Sequence, residues 1–98
     1  MRCLTKGAKM ETLKRAIEAY GKDMQLNVAV EEFSELIKEI CKNKRGRDNR
    51  QNILEEMADC YIMLEQLTII FDIKPEETSN EIRKKITRLE NRLAERRA

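Results

Sequence analysis

Turn-forming residues are so rare in this chain that their positions divide it into segments of helical length. The 98 residues include three glycines and one proline. Neither residue type occurs between Gly21 and Gly46 or between Gly46 and Pro75. A sheet protein needs more turn residues than this to connect its strands. The sequence therefore predicts an all-α chain with long helices, in a single domain over residues 1–98.

Apolar residues recur at helical spacing in four segments. The predicted helices run over about residues 10–20, 23–42, 49–71 and 75–96, after a loosely ordered lead-in at 1–9. Gly21 is a natural stop for the first helix, and Asp23 suits the N-cap of the second. Either Asp48 or Asn52 fits the N-cap of the third. Pro75 suits the first position of the fourth.

The third predicted helix is apolar on opposing sides. One side carries Ile53, Met57, Cys60, Leu64 and Phe71, and the other carries Ala58, Ile62 and Ile69. A chain of this size cannot easily bury one helix from every direction, and soluble monomers rarely leave such a patch open. The fourth helix adds a narrow apolar seam at Ile82, Ile86, Leu89 and Leu93. These patterns predict a four-helix antiparallel bundle that is completed by oligomerisation, a homodimer at least.

The composition excludes several classes of function. Histidine is absent, which removes His-ligated zinc and a histidine general base. The three cysteines are far apart, as expected for a reduced cytoplasmic protein. No apolar run reaches the length of about 18 residues that a membrane span needs. The net charge of +2 and the 4% of aromatic residues argue against binding to a nucleic acid polymer.

Two pairs of acidic residues are the strongest chemical signal. Glu32 and Glu35 are three residues apart on the second helix, and Glu56 and Asp59 repeat that spacing on the third. A short loop joins the two helices, so we expect them to be antiparallel and adjacent, with four carboxylates in one cleft. Such a cluster is repulsive unless a cation neutralises it, and Mg²⁺ prefers oxygen ligands. The alternative is that these glutamates are solvated surface residues of a non-enzymatic helical interaction module.

The acidic pairs also resemble a known signature. Glu31 to Glu35 has the form EExxE, and Glu56 to Asp59 has the form ExxD after a gap of 20 residues. Over roughly residues 20–95, the chain is similar to the MazG-like, all-α NTP pyrophosphohydrolase superfamily. The resemblance implies that Glu32, Glu35, Glu56 and Asp59 hold Mg²⁺, with Mn²⁺ as a possible substitute. It also implies hydrolysis of a nucleoside triphosphate to the monophosphate and pyrophosphate, in a homodimer or homotetramer.

The same resemblance suggests residues that contact the substrate. Gln25 precedes the first motif as a glutamine often does in this superfamily, and Lys85, Arg88 and Arg92 resemble its C-terminal basic pattern. An asparagine that is common after the second basic position is Leu89 here, and the chain has no tryptophan to stack on a base. The basic residues would alternatively complement the dipole of the last helix.

Overall fold

The four predicted helices are all present in the structure. The computed structural model describes residues 8–97. Its helices are α1 (Ala8–Tyr20), α2 (Lys22–Lys44), α3 (Arg50–Ile70) and α4 (Pro75–Arg97), and these described residues form no strand. The prediction of an all-α chain with four helices is confirmed, with every helix end within two residues of its predicted place. Positions 1–7 of the predicted lead-in lie outside the described residues, whereas Ala8 and Lys9 already belong to α1.

A single glycine separates α1 from α2. Gly21 has φ of 91°, a left-handed conformation that a residue with a side chain rarely adopts. Its N–H donates to the carbonyl of Ile17 over 2.8 Å, which ends α1, and its own carbonyl accepts from Gln25 N–H over 3.1 Å. Gly21 therefore occupies the N-cap position of α2, and the prediction of Asp23 there was wrong because Asp23 already lies in the first turn.

The N-cap of α3 also differs from the prediction. Asn49 occupies it, rather than Asp48 or Asn52, and its side chain makes no capping hydrogen bond. The Asn49 amide instead donates to the carbonyl of Glu39 over 2.9 Å and to its carboxylate over 2.8 Å. The Asn49 side chain therefore bonds Glu39 on α2 and does not cap α3.

Helices α2 and α3 pack side by side, and α1 packs on both. Contacts between residues 25 and 66, 32 and 60, and 39 and 49 show that α2 and α3 are antiparallel, as predicted. Among the described residues, the buried apolar ones are Ala29, Cys60 and Met63. Three polar residues are buried with them, namely Gln25, Glu39 and Gln66. The core is thus small, and polar contacts form a large part of it.

Helix α4 makes no packing contact with the other three helices. Its apolar seam is 43–50% exposed. The Cα radius of gyration is 16.5 Å, whereas a compact chain of this length has one of about 13 Å. The extra size reflects the projection of α4 from the core formed by α1 to α3. Oligomerisation, which would cover α4, remains a prediction.

Of the two predicted apolar sides of α3, Cys60 joins the core, whereas the larger residues on both sides stay partly exposed. Cys60, Met63 and Gln66 are buried. Met57 and Leu64 on one side are 38% and 40% exposed, and Ile62 on the other is 39% exposed. Within the described residues, no helix is long and apolar enough to cross a membrane.

Candidate functional site

Three of the predicted carboxylates meet between α2 and α3. Glu32 on α2 and the pair Glu56 and Asp59 on α3 each offer an oxygen, and these oxygens lie within 4.8 Å of one another. All three residues are half-buried. The Cys60 thiol donates to the carbonyl of Glu32 over 3.5 Å, so the two helices are in direct contact beside the cluster. The antiparallel packing predicted from the short loop therefore brings together three of the four carboxylates that were expected in one cleft.

Burial and mutual repulsion make the carboxylates of the cluster harder to ionise. Burial raises the pKa of Glu32, and the nearby carboxylates of Asp59 and Glu56 raise it further. Burial, followed by the charge of Asp59, likewise raises the pKa of Glu56. The Oε1 atom of Glu56 is buried and has no hydrogen-bond partner. A buried polar oxygen without a donor is costly, and a cation in the cleft would relieve both this cost and the repulsion.

Glu35 lies beside the cluster instead of within it. Its side chain is 48% exposed, and the ammonium nitrogen of Lys38 lies 3.9 Å from its carboxylate. Its charge still contributes to the raised pKa of Glu32 and of Glu56. An exposed ion pair at this distance is weak. Glu35 is therefore a solvent-accessible carboxylate one helical turn from Glu32.

Gln25 is part of the packing between α2 and α3. It is 7% exposed, and its amide nitrogen donates to the amide oxygen of Gln66 over 2.7 Å. Gln66 is 3% exposed and was not singled out by the sequence. The resemblance assigns the Gln25 amide to the substrate, but in this structure the amide bonds the buried Gln66.

The structure does not bring the basic residues of α4 to the carboxylates of the same chain. Lys85, Arg88 and Arg92 are exposed, and α4 has no packing contact with α2 or α3. Any role for them at the cluster would require a second copy of the chain.

Sequence reasoning missed a polar clasp between the end of α2 and the start of α3. The Glu39 carboxylate is buried, and it accepts from Asn49 over 2.8 Å and from Lys42 over 3.2 Å. The hydrogen bond from Asn49, and then those from Lys42 and Asn52, hold the pKa of Glu39 below its usual value. The signal in the sequence was Glu39 itself, which lies two turns after Glu32 on the same side of α2. The clasp ties α2 to the first turn of α3, two turns from Glu56.

The donor set suits a hard divalent cation. Acidic groups at protein surfaces are common without one, but this cluster combines partial burial with an unpartnered carboxylate oxygen. Mg²⁺ takes one or two carboxylates, keeps several waters and bridges to phosphate oxygens. Comparison of the chain with protein-family models, curated proteins and solved structures finds no match. Its function is therefore inferred from the cluster and the two acidic motifs.

Proposed function

We propose that the chain is a Mg²⁺-dependent nucleoside triphosphate pyrophosphohydrolase, which converts an NTP or dNTP and water to the monophosphate and pyrophosphate. The observation that carries the proposal is the convergence of Glu32, Glu56 and Asp59 around the unpartnered oxygen of Glu56. The EExxE and ExxD motifs, which place these residues, support the same reaction. We further propose that the enzyme acts in the cytoplasm and removes aberrant nucleotides from the pool.

The residues have distinct tasks in this reaction. Hydrolysis of a phosphoanhydride needs charge neutralisation, in-line geometry and an oriented water more than a covalent nucleophile. When bound, Mg²⁺ supplies the positive charge that balances the triphosphate. Glu32, Glu56 and Asp59 would hold it, and relief of their mutual repulsion would favour its binding. Glu35, exposed and only weakly paired with Lys38, orients the attacking water and accepts its proton.

The substrate contacts depend on assembly. We propose that Lys85, Arg88 and Arg92 grip phosphate oxygens from a neighbouring copy in a homodimer or homotetramer. Gln25 lies two turns before Glu32 on α2, where its amide reaches a substrate only if the bond to Gln66 opens.

A release assay over all common and damaged NTPs and dNTPs tests this function. We expect pyrophosphate with Mg²⁺ or Mn²⁺, and none with EDTA. Glu56→Gln should abolish turnover, whereas Glu55→Gln, whose side chain is exposed and bonded to Gln51, should retain it. Release of orthophosphate alone, or undiminished turnover in EDTA, would contradict the proposal.

A second candidate is a non-enzymatic helical interaction module, which the exposed seam of α4 favours. A titration with Mg²⁺ separates the two functions. If the cluster is a metal site, Mg²⁺ raises the Tm of the wild type and leaves that of Glu56→Gln almost unchanged. Equal responses of the two proteins would favour the interaction module.

A further inference from the structure

Helix α4 carries an apolar seam that its own chain leaves uncovered. Ile82, Ile86, Leu89 and Leu93 are 48%, 48%, 43% and 50% exposed. Their four-three-four spacing is typical of a helix that packs against other helices along one line. Within residues 8–97, α4 is the one helix without a packing partner.

The connector before α4 fixes the direction in which this helix leaves the core. Asp72 has φ of 53°, and its carboxylate pairs with the Lys74 ammonium over 2.7 Å. Ile73 N–H donates to the carbonyl of Thr68 over 2.8 Å, and Lys74 N–H donates to the Glu77 carboxylate over 2.9 Å. To return α4 to its own α3, the chain would have to change this backbone. In this conformation of the connector, the seam packs against no other helix of its own chain.

A matching groove runs between α2 and α3. It has a volume of about 210 Å³ and is lined by Phe33, Leu36, Met57, Cys60, Tyr61 and Leu64. Exposed apolar residues lie beside it on α2, where Val30 and Ile37 are 66% and 62% exposed. On α3, the groove residues Met57 and Leu64 lie on the opposite flank from Asp59. The groove also borders the carboxylate cleft, because the thiol of the groove residue Cys60 donates to the carbonyl of Glu32.

The surface area indicates how large the missing contact is. The chain exposes 7973 Å², whereas a compact monomer of 11.6 kDa exposes about 5,800 Å². The excess of about 2,100 Å² per chain amounts to about 4,000 Å² for a pair of chains. Permanent homodimers bury about 2,000–5,000 Å². One two-fold contact with a second copy is therefore enough to account for the excess.

We propose that two copies exchange α4, so that the seam of each α4 packs into the α2–α3 groove of the other copy. The groove residues of α3 run from Met57 to Leu64, about two helical turns, and the seam of α4 from Ile82 to Leu93 is long enough to cover them. Each exchange completes a four-helix bundle, and the two exchanges are related by a closed two-fold axis. This architecture does not depend on the hydrolytic function.

A pair of variants tests the exchange by complementation. Leu64→Glu places a charge in the groove, and Leu89→Glu places one in the seam. We expect each variant alone to be a monomer of 11.6 kDa, with a dissociation constant raised by about a hundredfold or more because both contacts bury an unpaired charge. An equimolar mixture should form a heterodimer that is weaker than the wild-type dimer, since it keeps one intact seam–groove contact while its second contact carries both glutamates. Thr87→Glu, which lies outside the seam of α4, is the matched control and should remain dimeric.

Light scattering and analytical ultracentrifugation report the masses, and far-UV circular dichroism checks that each variant is helical. If a variant loses helix, Met57→Glu replaces Leu64→Glu and Ile86→Glu replaces Leu89→Glu. A wild-type monomer at micromolar concentration would overturn the exchange. A dimer that survives Leu64→Glu would show instead that α4 pairs with α4. A dimer that survives Leu89→Glu would show that groove packs on groove, and a mixture that stays monomeric would also overturn the proposal.

Discussion

Replacing Gln25 by leucine should destabilise the protein rather than simply weaken substrate binding. The amides of Gln25 and Gln66 are 7% and 3% exposed and are joined by a hydrogen bond of 2.7 Å. The variant leaves the Gln66 amide buried without this partner. Such a loss costs about 1–3 kcal/mol. For a chain of this size, a loss of about 2 kcal/mol lowers Tm by about 8–16 °C.

Thermal and urea unfolding of Gln25→Leu, Gln66→Leu and the double variant measure this effect. The wild type and the three variants must be compared at one concentration, because assembly makes Tm depend on concentration. The double variant should recover much of the lost stability, since replacing both partners by apolar groups is close to neutral. The coupling energy between the two sites should be about 0.5–3 kcal/mol.

The same variants separate packing from substrate binding. If Gln25 acts only through Gln66, the double variant should hydrolyse nucleotide with a near-normal KM. A Gln25→Leu variant with wild-type Tm and a strongly raised KM would refute the packing role and favour direct contact with the substrate.

Three further predictions concern the cluster, the assembly and the clasp. Because the pKa of Glu56 is raised in the folded state, ionisation of this group lowers the free energy of unfolding as pH rises through that pKa. In the absence of metal, Glu56→Gln should therefore have the same Tm as the wild type below a pH of about 4, where Glu56 is protonated. Near neutral pH, the variant should have the higher Tm. Parallel pH profiles of Tm would contradict it. If two dimers pair into a homotetramer through the side of α3 that carries Ile62, Ile62→Glu should reduce the tetramer to a dimer, and an unchanged tetramer mass in light scattering would exclude Ile62 from that contact. Asn49→Ala should lower Tm and speed amide hydrogen exchange in the first turn of α3, since it leaves the buried Glu39 carboxylate without its strongest donor, and unchanged exchange would count against the clasp.

The helices and the acidic pairs could be predicted because their signals are local. Scarce breakers and apolar spacing define each helix, and a three-residue spacing places Glu56 and Asp59 on one side of α3. The partners of polar side chains could not be predicted, because they depend on the axial alignment of two helices. Asn49 is a good local cap, yet it bonds Glu39 across ten residues of chain. Glu35 has the same spacing as Asp59, yet it turns to solvent beside Lys38.

The isolation of α4 has a consequence for how the chain folds. A helix surrounded by water gains no stability from packing, and isolated helices of modest length are only marginally stable. In a lone chain, α4 should therefore fray and refold on a submicrosecond to microsecond timescale, while the middle of α2 and α3 stays protected by Ala29, Cys60 and Met63. Encounter with a second chain would then supply the free energy that keeps α4 helical. Folding of the last quarter of the chain would become a bimolecular event, whose extent depends on protein concentration.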